Sequence, residues 1–143
     1  MELINLSINK DATQSSIFRN RPSFAAEIAV NGNIDGTTEY THTNCNETPW
    51  WKVDLGSSFE LWQVVIYNRM DCCGGRLRQF DVKVLNDEMD ETKMIYHSGA
   101  VGADIRLDLE GAIGRYVKIS LRRQDCLSIA EVEVYGRYPD WLS

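Results

Sequence analysis

Residues 69–76 read Arg-Met-Asp-Cys-Cys-Gly-Gly-Arg. Two guanidiniums, Arg69 and Arg76, flank one carboxylate, Asp71, and a pair of adjacent cysteines, Cys72 and Cys73. A carboxylate this close can hold one guanidinium by a charge-assisted pair and fix its fork of donors. Fixed N–H forks suit neighbouring hydroxyl and ring oxygens of a sugar, and equally phosphate or sulfate. The two glycines allow backbone conformations that a Cβ resists. A bond between Cys72 and Cys73 would have to close across Cα atoms only ~3.8 Å apart, below the usual span of roughly 4.4–6.8 Å. Such a small ring is apolar and polarizable, able to lie against the apolar face of a ligand. The pair is equally readable as two free thiols, or as two cysteines each bonded elsewhere. A histidine, His42 in Tyr-Thr-His-Thr, stands in an earlier polar stretch; alone it reads as a packing or surface residue.

These groups need rigid elements beneath them. Short apolar segments alternate with turn signals. Trp50 to Leu55 precedes Gly-Ser-Ser, and Leu61 to Tyr67 is apolar on both faces, as a central strand is. Phe80, Val82 and Val84 alternate with Asp81 and Lys83; Ile105, Leu107 and Leu109 with Arg106 and Asp108; Val117, Ile119 and Leu121 with Lys118 and Ser120; Val132 and Val134 with Glu131 and Glu133. No segment sustains a 3.6-residue period, so the chain reads as all-β, a sandwich or barrel. Three loops carry most of the polar chemistry: 31–49, 68–78 and 122–130.

With 143 residues and no repeat or linker, the chain reads as one domain, 1–143. A net charge of −6 argues against a broad nucleic-acid footprint. No apolar run approaches the ~18 residues of a membrane span, so no membrane insertion is expected. The first ten residues lack the pattern of a signal peptide, so a secreted origin requires a removed signal or a longer parent chain. Four cysteines allow three pairings. The absence of CxxC, with His42 and His97 lying 55 residues apart, makes tetrahedral zinc a poor reading.

The register His42, 26 intervening residues, Arg69-x-Asp71, four residues, Arg76 resembles the fucose-binding signature of the F-type lectins (fucolectins). Cys72-Cys73 falls where that family carries a vicinal disulfide. Ala12-Thr13-Gln14-Ser15-Ser16, Asn33-Ile34-Asp35-Gly36, Trp50 to Gly56 and Ala130 to Gly136 extend the likeness over roughly residues 3–137, the last two segments being shared with the wider discoidin-like, galactose-binding-like group. The resemblance implies an eight-stranded jelly-roll β-sandwich and a non-catalytic module for α-L-fucose on fucosylated glycans. It implies that His42, Arg69 and Arg76 hydrogen-bond the sugar, that Asp71 orients the arginines, and that the Cys72–Cys73 ring packs on the sugar. Tyr40 and Phe24 are expected around the C6 methyl, and Asn68, Gln79, Thr38 or Asn44 around the next sugar.

The same likeness implies a structural Ca2+. Gly32, Thr37 and Ala130 would serve through carbonyls, Asp35 and Glu131 through carboxylates, and Glu39 stands where the family has a serine. The family's usual cysteine positions beside this site are Tyr40 and Ala130 here; Cys45 and Cys126 lie a few residues away, and a relocated Cys45–Cys126 bridge is expected. The resemblance also implies an extracellular module whose avidity comes from homo-oligomers or a multidomain chain. Two other readings stand beside it. A discoidin-type membrane- or protein-binding module would use Met70, Leu127 and Ile129 as spikes with Arg122 and Arg123. An enzyme would need redox chemistry at Cys72 and Cys73, or a hydrolytic carboxylate pair that is not evident.

Overall fold

The computed structural model describes residues 2–140. The strands run in chain order as β1 (Ile4–Asn5), β2 (Asp11–Gln14), β3 (Trp50–Asn68), β4 (Phe80–Leu85), β5 (Glu91–His97), β6 (Asp104–Leu121) and β7 (Ile129–Arg137). Short 3-10 turns occupy Phe18–Asn20, Pro22–Phe24, Ala26–Val30 and Gly74–Arg76. All strand pairings are antiparallel. The all-β expectation holds, and the alternating segments read from the sequence are the cores of β3, β4, β6 and β7.

The expected count of eight strands is not reproduced among the described residues, where seven are assigned. The reason is that β3 and β6, 19 and 18 residues long, stay paired with each other along nearly their whole length and pass through a bend. Their register shifts between Asp54 and Phe59 and again between Leu61 and Gln63. Gly56 sits at the bend with φ +87°, and the Asp54 carboxylate accepts its N–H at 2.8 Å. The extra residues fold the ribbon over, as bulges do. One half of β3 pairs with β2, the other with β7.

The inward-facing residues record this switch. Trp51, Val53, Leu55, Phe59 and Leu61 are buried before the second shift; Val64 and Ile66 are buried after it. Parity thus changes at Trp62, and both halves still bury the correct face. One core cluster receives Trp51, Val53, Phe80, Val82, Val117 and Ile119 from one layer and Val64, Ile66, Leu109, Val132 and Val134 from the other. Val65 is also fully buried, so the stretch apolar on both faces is covered on both.

Because the ribbon doubles back, both ends of β3 reach the same edge of the sandwich. Leu121 N–H bonds the Pro49 carbonyl at 3.1 Å beside Trp50, while Ile129, which pairs with Asn68, accepts the Thr41 N–H at 2.8 Å. Trp51 is fully buried and donates its indole N–H to the Ala26 carbonyl at 3.0 Å, pinning the 3-10 segment under the loops. Truncating it to alanine costs about 3–5 kcal/mol.

Candidate functional site

His42 is placed by main-chain bonds on both sides. The N–H groups of Thr41 and Thr43 bond the carbonyls of Ile129 (2.8 Å) and Leu127 (3.1 Å). Their hydroxyls accept the N–H of Ile129 (3.0 Å) and Leu127 (2.9 Å) in return. The two threonines flanking the histidine are therefore there for the backbone. Gln14, at the end of β2, donates its side-chain amide to the carbonyls of Ser16 (2.8 Å), Phe24 (3.0 Å) and His42 (3.4 Å). A Cys45–Cys126 disulfide joins the same two loops, as expected.

The imidazole itself is 7% exposed. It packs on Phe18, centroids 4.4 Å apart, and Phe24, 5.3 Å. Its Nδ1 lies 2.7 Å from the Thr43 carbonyl oxygen. A carbonyl only accepts, so Nδ1 carries the proton and Nε2 presents a lone pair. Burial lowers the His42 pKa below its ordinary value; the Thr43 bond opposes this, and the nearby charges of Arg69 and Arg76 add to it. The ring is thus a neutral acceptor beside two cations.

Arg69 follows directly on β3. Asn68, 2% exposed, donates its amide to the carbonyls of Gly74 and Gly102, both at 2.9 Å, folding the 69–76 loop against the 98–103 turn. Gly36 receives the Met70 N–H at 2.8 Å; a Cβ at this glycine would collide with the Asn68 carbonyl. The Arg69 Nε bonds Asp71 at 2.6 Å, and the other Asp71 oxygen accepts the Tyr40 hydroxyl at 2.8 Å. The guanidinium lies 4.2 Å from the Tyr40 ring centroid, and Tyr40 stacks on Phe24 at 6.0 Å. Arg69 first, and then Tyr40, hold the Asp71 carboxyl below the usual range, against partial burial.

Asp71 does not orient both arginines. Arg76 instead reaches Asp125 at 3.9 Å, and Asp125 also pairs with Arg123 at 3.0 Å. Arg123 bonds the carbonyls of Arg76 and Arg78, holding the strand of chain that carries Arg76. Asp125, and the bracing roles of Arg123 and Gln14, were not visible in the sequence, because their contacts with Arg76 and His42 span 28 residues or more with no local pattern. Tyr40 supports Arg69 from below rather than standing free, and Asn68 is spent on two carbonyls.

Cys72 and Cys73 are bonded to each other, and Cys73 adopts a left-handed conformation, φ 64°. The pair is exposed and forms a ridge between two clefts. One, about 380 Å³, is lined by Arg69, Met70, Gly74, Ala100 and Gly102. The other, about 320 Å³, is lined by Gly75, Arg76, Arg78 and Asp125.

The residues expected around Ca2+ are joined only in part, Gly32 to Glu131 and Asp35 to Thr37. Glu131 is fully buried. One of its oxygens accepts the Gly32 N–H at 2.7 Å; the other, Oε1, is buried with no partner among the described residues. Burial pushes this carboxyl up to about 8, the Gly32 bond opposing and Glu133 and Glu39 adding. Glu39 accepts the amides of Asn31 (2.7 Å) and Asn33 (3.1 Å). Asp35 accepts both the N–H (2.9 Å) and hydroxyl (2.6 Å) of Thr37. Among the described residues no three His, Cys, Asp or Glu side chains converge tightly enough to hold a metal by themselves. The orphan Oε1, with other oxygen groups close by, suits a hard cation completed by main-chain carbonyls.

The spikes of the discoidin-type reading are not present as such. Leu127 and Ile129 are buried, at 1% and 0% exposure; only Met70, at 49%, is exposed. Arg122 is spent on Asp81 at 2.7 Å, and Arg123 on Asp125 and two carbonyls.

An antiparallel sandwich whose loops gather arginines, a neutral histidine and an exposed disulfide defines a carbohydrate-binding class of module. Residues 28–119 match the family model for an F5/F8 type C, NedA-like, galactose-binding domain. Fucolectin-6 of Anguilla japonica is 32% identical over 145 residues, covering 94% of this chain and 77% of that protein. A fucose-binding module of Streptococcus pneumoniae superposes with TM-score 0.86 at 34% identity, covering 92% of this chain and 97% of that one. The lectin domain of Lectinolysin, solved with Lewis B antigen, gives TM-score 0.87 at 36% identity, covering 94% and 97%. The chain belongs to the F-type lectin (fucolectin) family, and its fold is that family's jelly-roll-like β-sandwich.

Proposed function

We propose that this module binds terminal α-L-fucose on fucosylated glycans and works by binding rather than by turnover. The observation that carries the reading is the pairing of an acceptor with braced donors. His42 offers a lone pair from a neutral ring, while Arg69 and Arg76 offer N–H groups held by Asp71 and Asp125. A sugar hydroxyl donates to Nε2, and neighbouring oxygens accept from the two forks. The exposed Cys72–Cys73 ring supplies the apolar surface such a sugar needs on its other face. The relatives are consistent with this: one is a fucose-binding module and another was solved with a Lewis antigen.

A structural Ca2+ belongs to the same proposal. Asp35, Glu39 and Glu131, with the carbonyls of Gly32, Thr37 and Ala130, would hold it, and the cation would neutralise the buried Glu131. Two disulfides suit an oxidising, extracellular compartment. One monosaccharide gives limited contact area, so useful avidity requires several copies, as a homo-oligomer or within a longer chain.

A glycan array in calcium-containing buffer, with free L-fucose as competitor, tests the assignment. Fucosylated glycans should be retained and released by the free sugar. Arg76→Ala should lose this retention while keeping the melting temperature; retention that survives both Arg76→Ala and the competitor contradicts the reading.

A further inference from the structure

The outer face of the layer formed by β2, β3, β6, β4 and β5 carries an arrangement that the fucose site does not use. Lys52 of β3 pairs in register with Lys118 of β6, and Lys118 with Lys83 of β4. Three ammonium groups therefore stand in one row across three adjacent strands, a span of about 10 Å at ~4.8 Å per strand. Like charges directly opposite one another destabilise a sheet. The chain has carboxylates to spare, with a net charge of −6, yet none stands in the row itself, which runs Thr13, Lys52, Lys118, Lys83, Met94. Among the described residues neither Lys52 nor Lys118 has an ion-pair partner, and Lys83 meets Glu91 at 3.6 Å. The neighbouring Asp54 and Asp81 are taken by Arg115 and Arg122, at 2.8 and 2.7 Å. Burial lowers the Lys118 pKa, with Lys52 and Lys83 adding to the effect.

Aromatic rings border the row. Lys52 Nζ lies 5.6 Å from the Trp50 ring and 5.4 Å from Tyr116, and Lys118 Nζ lies 5.0 Å from Trp50. In the next row Arg122 stacks at 3.8 Å on Tyr96, which is 41% exposed. Cation–π contact offsets part of the repulsion but leaves Lys52 and Lys118 without an ion-pair partner among the described residues, Lys83 alone of the row meeting a carboxylate.

We infer that this face is a second binding surface, for an extended sulfated polysaccharide: sulfates meet the Lys52–Lys118–Lys83 row while sugar rings lie on Trp50 and Tyr116. A half-exposed sheet face admits an extended chain. An acidic peptide would satisfy the ammonium groups but leave the rings idle, so the ring–cation alternation favours an anionic glycan. The surface lies on a sheet face and is independent of the fucose loops.

The test measures binding of dextran sulfate to the whole chain at about 50 mM NaCl, with saturating free L-fucose present and with neutral dextran and poly-L-glutamate in parallel. Dextran sulfate should bind with an affinity that falls steeply with salt, poly-L-glutamate more weakly, and neutral dextran not at all. The double variant Lys52→Gln/Lys118→Gln should bind dextran sulfate about tenfold or more weakly, with melting temperature unchanged or raised and retention on fucose-agarose unchanged. The control Lys10→Gln/Arg106→Gln should bind like the parent. Absence of dextran sulfate binding, equal binding by the double variant, or equal affinity for poly-L-glutamate would each overturn the inference.

Discussion

Asp71 tests whether the arginine loop works by bracing. Its carboxylate accepts the Arg69 Nε at 2.6 Å and the Tyr40 hydroxyl at 2.8 Å, so both oxygens are occupied by protein. Asp71→Asn keeps the shape and removes the charge. A charge-assisted hydrogen bond contributes about 1.5–3 kcal/mol and a neutral one about 0.5–1.5. The Asp71 side chain is 36% exposed, and solvent screening trims the difference to about 1 kcal/mol. Fucose affinity should therefore fall about fivefold. Arg69→Ala removes the donor itself and should cost about 2–3 kcal/mol, on the order of a hundredfold. Calorimetry with methyl α-L-fucoside on both single variants and the double variant closes the cycle. If Asp71 acts only through Arg69, the double variant should match Arg69→Ala. Losses that add, or an Asp71→Asn loss as large as that of Arg69→Ala, would place the carboxylate on the sugar and refute the bracing argument.

Fucose binding should be pH-independent through neutrality. It should weaken as pH falls through the His42 pKa, which burial holds below 6.5, because protonation removes the Nε2 acceptor; a titration from pH 8 to 4.5 with His42→Gln as reference checks this. Cys45→Ser/Cys126→Ser opens a bridge with sequence separation 81 and should cost about 4 kcal/mol in denaturant unfolding, with fucose affinity falling as the His42 loop loosens. Calcium at a hundredfold excess over its Kd should add about 2.7 kcal/mol of stability relative to chelator, a melting rise of roughly 8 °C. Glu131→Ala should abolish that rise.

Much of this was readable in the chain because period-2 patterning is local. Phe80, Val82 and Val84 announce β4, and Val132 and Val134 announce β7. The candidate site residues sit in a register that spans loops yet is rigid in sequence, so His42, Arg69 and Arg76 could be proposed together. The partners that aim them were not. Asp125 lies 49 residues from Arg76 and Gln14 lies 28 from His42, and nothing in their surroundings distinguishes them from solvated polar residues. The eight-strand count came from the resemblance and is not confirmed; the turn read at Gly56-Ser57-Ser58 is instead a bend, through which pairing with β6 carries β3. Leu127 and Ile129 looked like loop spikes because the apolar content of 122–130 was visible while its inward direction was set by the ladder to Thr41 and Thr43.

The parity change at Trp62 sets where this scaffold accepts alteration. A one-residue deletion between Leu61 and Gln63 would turn Val64 and Ile66 outward and strip one layer of its share of the core. The same deletion within 98–103 would shorten a turn that Asn68 and Gln79 already anchor. Engineers seeking new glycan specificity should therefore exchange sequence distal to Asn68 and leave the β3–β6 ribbon intact, treating its bulges as fixed joints of the chassis.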